Sequence, residues 1–177
     1  MGCKVVFNRT FAMPSHNTFS VKPIGEFVRR YMKESKVSVD PFSRDYEMAT
    51  HTNDLNPETK ARYHMQAAEF CEMLVPQQVH ADLGIFDPPY SPRQISECYK
   101  GIGLPVGTKD TQNARLYKEV RDALDKLIAW HGHVLSFGWN SGGMGKTRGY
   151  EIVEILLVAH GGAHNDTICM AERKMRG

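Results

Sequence analysis

The sequence lacks several features that mark whole classes of protein. No apolar run reaches about 18 residues, which excludes a membrane-spanning helix, and the amino terminus has no hydrophobic core of a signal peptide. The 4 cysteines are scattered without the spacing of a metal site. That usage indicates a reducing compartment rather than a disulfide framework. We therefore expect a cytoplasmic protein with no membrane partner and no metal.

Internal repeats, low-complexity segments and a strong excess of one charge are also absent. The 22 Lys and Arg residues nearly balance the 20 Asp and Glu residues, for a net charge of +2. This balance permits a nucleic-acid partner without requiring one. The 177 residues suffice for one domain with a real core, but not comfortably for two. We expect residues 1–20 to form an irregular lead-in arm and residues 21–177 to form a single domain.

Hydrophobic periodicity predicts alternating helices and strands. Helical spacing covers residues 24–32 and 116–128 and part of 57–75, where a brief strand at 61–64 fits equally well. Apolar runs predict strands at residues 37–39, 48–52, 81–86, 133–137, 150–158 and 167–171. This alternation implies an α/β fold with a mostly parallel sheet and a C-terminal antiparallel hairpin. Residues 91–113 form a long loop with little periodicity, a candidate functional segment.

A stiff polar tetrapeptide follows the predicted strand at 81–86. It consists of Asp87, Pro88, Pro89 and Tyr90. The carboxyl end of a strand is where open α/β sheets bind ligands. The two prolines fix φ and remove two backbone donors, so carbonyls and a carboxylate face the site. Such a loop suits a planar group held through its amino hydrogens, although a rigid turn at the strand's exit would use the same residues.

Two other clusters have plainer interpretations. Residues 141–147 resemble a phosphate-binding loop, but that loop needs a helix at its Gly-Lys-Thr step, and here a strand pattern follows. We interpret the segment as a connector, or as a basic loop whose Lys146 and Arg148 touch DNA phosphates. His160, His164 and Asp166 make no complete metal-ligand set, so we interpret them as polar residues of a hairpin turn.

Several short motifs, in their order along the chain, together resemble the DNA amino-methyltransferases that use S-adenosylmethionine, the N6-adenine and N4-cytosine enzymes. The resemblance covers about residues 17–172. Residues 87–90 match the family's DPPY catalytic motif in full. Residues 39–42 match the first half of its cofactor motif, which ends in Asp-Pro-Phe. The family's fold is Rossmann-like, a class I methyltransferase fold, and we expect it here.

The resemblance also assigns roles to individual residues. Lys22 and Pro23 open a helix like the one that packs beside the methionine part of the cofactor, and Asp54 stands where the family binds the ribose hydroxyls. The full expected set for the cofactor is Lys22, Pro23, Asp40, Pro41, Phe42, Arg44, Asp54, Glu69 and Phe70. The expected catalytic residues are Asp87, Pro88, Pro89 and Tyr90, and the expected substrate contacts are Tyr90, Ser91, Arg93, Lys146 and Arg148.

Simpler roles remain open for some of these positions. Asp40 could only cap a turn, and Asp54 could be the N-cap of the following helix. Phe42 could be a plain core residue, and Lys22 a surface lysine.

The sequence departs from the family's pattern in three places. Ser43, Arg44 and Asp45 replace the usual glycine-rich turn, where glycine lets the backbone approach the cofactor. The change either weakens cofactor binding or moves the methionine carboxylate onto Arg44. Gln66 stands where an acid is common. No separate target-recognition domain is visible, so specificity must come from residues 91–113, the 138–149 loop or a partner subunit, or be weak.

The leading interpretation is a small, phage-like DNA adenine-N6 methyltransferase, site-specific or relaxed, in a bacterial or phage-infected host cell. Its partner would be double- or single-stranded DNA, or RNA, and the protein a monomer or homodimer. The alternatives are an RNA or nucleotide amino-methyltransferase that uses the same loop, and a non-catalytic methyltransferase-like binding module.

Overall fold

A seven-stranded mixed sheet organises the part of the chain that the computed structural model describes, residues 4–89, 96, 100, 101, 103 and 113–176. The spatial order of its strands is β1-β6-β7-β5-β4-β2-β3. The strands are β1 (Val6–Phe11), β2 (Ser38–Asp40), β3 (His51–Thr52), β4 (Ala81–Phe86), β5 (Ile128–Gly138), β6 (Tyr150–Ala159) and β7 (Thr167–Lys174). β7 pairs antiparallel with β5 and β6, and the other pairs are parallel. The predicted α/β class, mostly parallel sheet and C-terminal antiparallel hairpin are confirmed.

Helices cover both faces of this sheet. They are α1 (Lys22–Glu34), α2 (Ala67–Leu74) and α3 (Asn113–Leu127), with short 3₁₀ turns at Thr18–Ser20 and Lys146–Arg148. On one face α1 buries Ile24, Phe27 and Val28 against Leu83, Ile85 and Leu135 of β4 and β5. On the other face α2 and α3 bury Phe70, Leu74, Val120, Leu124 and Leu127 against Val39, Phe86 and Val134. The strand residues alternate between the two faces because successive side chains in a strand point in opposite directions.

The amino-terminal segment departs from the expected organisation. Residues 1–20 were expected to be irregular, but β1 pairs in parallel with β6, from Val6 opposite Glu154 to Phe11 opposite Ala159. The irregular interpretation is therefore wrong for residues 6–11. As an edge strand held through its backbone, β1 leaves Phe7 and Phe11 more than 60% exposed (62% and 63%). A strand that buries so little gives only a weak hydrophobic pattern.

Other boundaries differ by a few residues. The strand expected at 48–52 is limited to β3, and Met48 before it is exposed. Residues 61–64 contribute only an isolated parallel bridge between Tyr63 and Asn53, and the helix of this region is α2. β5 begins earlier than the expected residue 133. Most of the long loop at 91–113 lies outside the described residues.

Candidate active site

Three of the acidic residues singled out in the sequence lie at the carboxyl ends of neighbouring strands. Asp40 ends β2, Asp54 follows β3, and Asp87 directly follows β4. Because β2 pairs in parallel with both β3 and β4, these three strand ends lie side by side. Open α/β sheets bind their ligands in the crevice outside this edge. The fold therefore assembles one acidic site from three separate stretches of sequence.

Asp40 is a buried carboxyl with an unsatisfied oxygen. Its Oδ1 accepts the backbone N–H of Phe42 at 3.0 Å, while Oδ2 has no hydrogen-bond partner among the described residues. Burial raises the pKa of this carboxyl well above its usual range, the Phe42 N–H opposes the rise, and Asp87 and Asp54 add to it. Asp40 therefore keeps its proton to a higher pH than an exposed aspartate, and Oδ2 is a buried polar atom that a bound ligand can satisfy.

The loop after β4 is held from the side by α3. The hydroxyl of Tyr117 donates a hydrogen bond to the carbonyl of Pro89. The Tyr117 ring also packs edge-on against Phe86, with 6.1 Å between ring centroids. Pro88 between them is buried, whereas Asp87 and Pro89 remain partly exposed. The loop is thus fixed at both ends of its described part, and Asp87 remains partly exposed at the carboxyl end of β4.

Three of the residues assigned to this loop and its continuation cannot be placed. Tyr90, predicted to stack on the substrate, and Ser91 and Arg93, predicted to contact it, lie outside the described residues.

Asp87 also acts on a cysteine of β7, two strands away in the same sheet. Burial raises the pKa of the Cys169 thiol on β7, and the charge of Asp87 raises it further. A buried thiol of this kind stays protonated and is a poor nucleophile.

The turn after Phe42 contains an arginine in a conformation that glycine usually adopts. Arg44 has φ of +49°, in the left-handed region that glycine usually occupies. Its backbone N–H donates to Asp54 Oδ2 at 3.2 Å, and its guanidinium donates to the carbonyl of His16 at 2.7 Å. Arg44 is therefore a strained non-glycine residue, held in place by these two hydrogen bonds.

Asn53 is a central residue of the site that the sequence interpretation missed. It is fully buried, and its side-chain amide donates to the carbonyls of Pro41 at 3.1 Å and Met65 at 3.0 Å. Its Oδ1 accepts the Met65 N–H at 3.1 Å. One amide thus joins the turn after β2 to the start of α2. The only sequence signal for Asn53 was its position next to Asp54 at the end of a strand. The functional role was assigned to the aspartate instead.

Asp54 is held in position by backbone donors. Its Oδ1 accepts the N–H of Asn56 at 2.9 Å, and its Oδ2 accepts that of Arg44. The first contact is the side-chain-to-backbone hydrogen bond of an Asx turn. Asp54 therefore fixes the conformation of the chain that follows β3. A carboxylate has about four acceptor positions, so both oxygens retain capacity for a ligand hydroxyl.

Lys22 and Pro23 begin α1 at the same edge of the sheet. Pro23 lies in the first helical turn, where its missing N–H costs nothing. The preceding 3₁₀ turn packs Phe19 against Phe137 near the end of β5, with 5.2 Å between ring centroids. Gly25 allows this close approach, because a Cβ there would lie 2.5 Å from the carbonyl oxygen of Phe19. Lys22 is exposed.

The two residues assigned on α2 differ in their surroundings. Glu69 is exposed in the first turn of the helix, which begins just after the Asn53–Met65 contacts. Phe70 is fully buried and packs against Tyr63, with 5.6 Å between ring centroids. A contact to a cofactor does not fit a side chain with no exposed surface, so the structure gives Phe70 a core role.

Lys146 and Arg148 lie at the wrong edge of the sheet for their predicted role. Their turn precedes Tyr150, which pairs with Lys174, and the Lys174 ammonium donates to the carbonyl of Ile128 at the amino end of β5. Arg148 is also committed to Asp122, with Nε donating at 2.8 Å. The expected contacts of this pair with the substrate are therefore corrected, because the carboxyl ends of the strands lie opposite.

No helix in the described ranges is both long and apolar enough to cross a membrane. The same ranges contain no group of three or more His, Cys, Asp or Glu side chains placed to hold a metal ion. Both ring nitrogens of His160 contact other groups, the Ala12 carbonyl at 2.7 Å and the Thr167 hydroxyl at 2.8 Å.

Comparison with known proteins identifies the fold. No protein-family model matches the sequence, and no curated protein is significantly similar to it. Among solved structures, SMU.776 in complex with SAH is similar over 84% of this chain and 48% of its own, with 8% identity and a TM-score of 0.57. TrmN from Thermus thermophilus matches over 88% of this chain and 49% of its own, with 13% identity and a TM-score of 0.57.

A third similar structure has nearly the same length as this chain. It is the N-methyltransferase NodS from Bradyrhizobium japonicum WM9, with 91% of this chain and 99% of that protein covered, 11% identity and a TM-score of 0.52. The chain spans about half the length of SMU.776 and TrmN. At these identities the likeness concerns the fold alone. The protein has the class I fold of S-adenosylmethionine-dependent methyltransferases.

Proposed function

We propose that this chain is a DNA adenine-N6 methyltransferase, which transfers a methyl group from S-adenosylmethionine to the exocyclic amine of an unpaired or flipped-out base. The proposal depends on one observation. The loop beginning Asp87-Pro88-Pro89 lies at the same sheet edge as the buried Asp40 and the turn held by Asp54. A methyltransferase fold supports the transfer, and the DPPY tetrapeptide of the sequence supports an amine as its acceptor.

The residues around Asp40 fit an adenosine-containing cofactor. The unsatisfied Oδ2 of Asp40 is a buried polar atom in need of a partner, and the Asp54 carboxylate is oriented by two backbone donors to receive ribose hydroxyls. The cofactor set that we propose is Lys22, Pro23, Asp40, Pro41, Phe42, Arg44, Asp54 and Glu69. Similar folds have been solved with SAH bound, which favours the same class of cofactor here.

The loop after β4 offers two acceptors to an amine. The Pro89 carbonyl is already engaged by Tyr117, so we assign the Asp87 carboxylate and the Pro88 carbonyl to the two amino hydrogens. Tyr90 would stack on the base. Because the amine cannot reach a methyl donor inside a duplex, the base must be unpaired or flipped out.

The reaction is an in-line displacement in which S-adenosylmethionine supplies a methyl group on a sulfonium. Hydrogen bonds from both amino hydrogens to Asp87 and Pro88 draw the nitrogen toward tetrahedral geometry and aim its lone pair. Held by the cofactor residues named above, S-adenosylmethionine would supply the methyl group and keep the electron pair of its broken bond to sulfur. Asp87 would accept the proton that the methylated nitrogen loses. Positioning and a preorganised polar site carry the catalysis.

Transfer of tritiated methyl groups tests the proposal. Wild-type protein and Asp87→Ala would be incubated with labelled cofactor and single-stranded DNA, duplex DNA, RNA or free adenine nucleotides. We expect label in DNA as N6-methyladenine, lost in Asp87→Ala. Normal transfer by Asp87→Ala would contradict the proposed site, and label in RNA or nucleotides alone would contradict DNA as substrate. Calorimetric titration that detects no S-adenosylmethionine binding would favour a non-catalytic module.

A further inference from the structure

Two buried polar atoms at the end of β2 and in the turn after it have no hydrogen-bond partner among the described residues. One is Oδ2 of Asp40, and the other is the hydroxyl oxygen of Tyr46. A buried polar group without a partner lowers the stability of a folded protein, so native proteins keep few of them. Tyr46 has no place in the cofactor set proposed above. Its hydroxyl therefore marks a second point where a ligand can supply a missing hydrogen bond.

The turn after β2 fixes the relative positions of these two groups. The Phe42 N–H donates to Asp40 Oδ1 at 3.0 Å, and the Tyr46 N–H donates to the carbonyl of Ser43 at 2.8 Å. The Tyr46 ring packs edge-on against Phe19, with 4.8 Å between ring centroids. Burial raises the pKa of the Tyr46 hydroxyl, and the charge of Asp40 raises it further. The two groups are therefore close enough to interact electrostatically.

Arg29 of α1 brings a positive charge to the same hydroxyl. It lowers the pKa of Tyr46, against the effects of burial and Asp40. A Cβ on Gly25 would lie 3.0 Å from Arg29 Nη1 and 2.5 Å from the carbonyl oxygen of Phe19, so the guanidinium folds back toward the residue whose ring contacts Tyr46. Arg29 is exposed, and within the described ranges it forms no salt bridge.

An acid, a hydroxyl and a cation in this arrangement match the two charges of an α-amino acid. Its ammonium has three donors, and Asp40 Oδ2 and the Tyr46 oxygen are acceptors that need one. Its carboxylate, on the same carbon, is the natural partner of the Arg29 guanidinium. Asp54 and Asp87 add negative charge around Asp40, which favours a cation over an anion at that position.

We propose that Tyr46 and Arg29 bind the amino-acid end of S-adenosylmethionine, with its ammonium on Asp40 Oδ2 and the Tyr46 hydroxyl and its carboxylate on Arg29. The inference rests on the proposed function for the identity of the cofactor, and it adds two residues to the binding set. Arg29 takes the carboxylate in preference to Arg44, whose guanidinium already donates to the carbonyl of His16 at 2.7 Å.

Calorimetric titration with two ligands tests the inference. S-adenosylhomocysteine carries the amino-acid end, whereas methylthioadenosine lacks it and keeps the adenosine and the sulfur. Tyr46→Phe and Arg29→Ala should each weaken the binding of S-adenosylhomocysteine at least about fivefold and leave that of methylthioadenosine unchanged. Tyr31→Phe is the matched control, because it removes a phenolic hydroxyl that donates to Glu154 of β6. It should not alter the ratio of the two affinities.

Thermal unfolding of the ligand-free variants separates binding from structure. Because the Tyr46 hydroxyl has no partner in the described protein, Tyr46→Phe should unfold at the same temperature as wild type or at a higher one. Tyr31→Phe loses a hydrogen bond and should unfold at a lower temperature. A lower unfolding temperature for Tyr46→Phe would overturn the inference, because its hydroxyl would then have a structural role.

The outcomes separate this inference from the proposed function. A variant that binds S-adenosylhomocysteine like wild type, or loses affinity for both ligands equally, would overturn the role of the residue changed, even if methyl transfer to DNA proceeds. The expected pattern of affinities, in a protein that transfers no methyl groups to DNA, would support the inference and refute the proposed function. A wild-type protein that binds neither ligand would overturn both.

Discussion

Burial raises the pKa of the Asp40 carboxyl, and the carboxylate of Asp87, at the end of the neighbouring parallel strand, raises it further. The two groups belong to different motifs, far apart in sequence, and the sheet places them close enough to interact electrostatically. Each has a separate proposed task, Asp40 toward the cofactor and Asp87 toward the amine. Their interaction makes the ionisation of one sensitive to the other.

Replacing Asp40 should change how stability depends on pH. Below its ordinary pKa of 3.8, the carboxyl holds a proton in the folded and the unfolded chain. As the pH rises above that value, the unfolded chain releases the proton first, so the free energy of unfolding falls until the pH passes the folded pKa. Asp40→Asn has no carboxyl to titrate at this position, so its free energy of unfolding should not show this decrease.

Urea denaturation of both proteins between about pH 4 and pH 7 measures the effect. The stability of Asp40→Asn relative to wild type should improve steadily as the pH rises. A difference that stays constant over this range would show that Asp40 does not titrate as the burial implies.

Graded substitution of Asp87 should separate chemistry from binding. Asp87→Ala removes an acceptor at the point where the amine is held, and we expect transfer to slow by at least about 100-fold. Asp87→Asn keeps one acceptor oxygen and should retain more activity. Affinity for S-adenosylmethionine, measured by calorimetry, should change little in either variant. The exposed Glu58, changed to Ala, is the control; loss of cofactor binding in step with activity would argue against this role.

Two substitutions of Arg44 isolate the conformation of its turn. Both Arg44→Gly and Arg44→Ala remove the guanidinium and its bond to the His16 carbonyl. Only glycine adopts φ of +49° without strain. Arg44→Gly should therefore be more stable than Arg44→Ala by about 1 kcal/mol in chemical denaturation. Equal stabilities would mean that the turn relaxes to another conformation.

The attachment of α1 to β6 predicts a pH-dependent contribution to stability. Arg30 donates to both oxygens of Glu154, at 2.7 and 2.9 Å, and Tyr31 donates to one at 2.8 Å. The hydrogen bond from Arg30 lowers the pKa of Glu154, and burial partly opposes it. The stabilisation is thus present above the ordinary pKa of 4.5 and is lost as the pH falls through the lowered value.

Glu154→Gln should lower the free energy of unfolding by about 1 kcal/mol at neutral pH, a modest value because the Arg30 side chain is half exposed. In acid, the difference in stability between the variant and the wild type should vanish. Glu47→Gln is the matched control, since the Glu47–Lys60 pair is exposed on both sides and should contribute less than about 0.5 kcal/mol. Thermal or urea unfolding at several pH values distinguishes the two. Equal effects of the two variants would contradict the role of burial.

The parts predicted well from sequence were those where pattern and position agree. The position of the loop after β4 was predicted correctly. An apolar run and the polar residues that follow it, Asp87 and two prolines, are both visible in the local sequence. Asn53 was missed because one asparagine gives no local sign that it will bridge Pro41 and Met65. Arg44 in place of glycine suggested either weaker cofactor binding or a methionine carboxylate held by Arg44. No signal in the sequence indicated that Arg44 would adopt φ of +49°, a conformation usual for glycine.

The largest error concerned the position of the segment between β5 and β6. The segment after β5 begins at the carboxyl edge, yet Lys146 and Arg148 end at the amino edge, next to the start of β6. Arg121 holds its middle through the carbonyls of Gly142 and Gly143, at 2.6 and 2.9 Å. Sequence shows that such a segment is basic and rich in glycine, but its direction depends on tertiary contacts with α3.

The pairing of β1 with β6 has a consequence for how the protein is made. Val6 is translated long before its partner Glu154. Until β6 has been made, Phe7 and Phe11 have no sheet to join, and this edge of the fold stays open. Closing so long a loop is slow, so β1 docks long after its own synthesis, and nascent chains stalled before β6 should be prone to aggregation and chaperone capture.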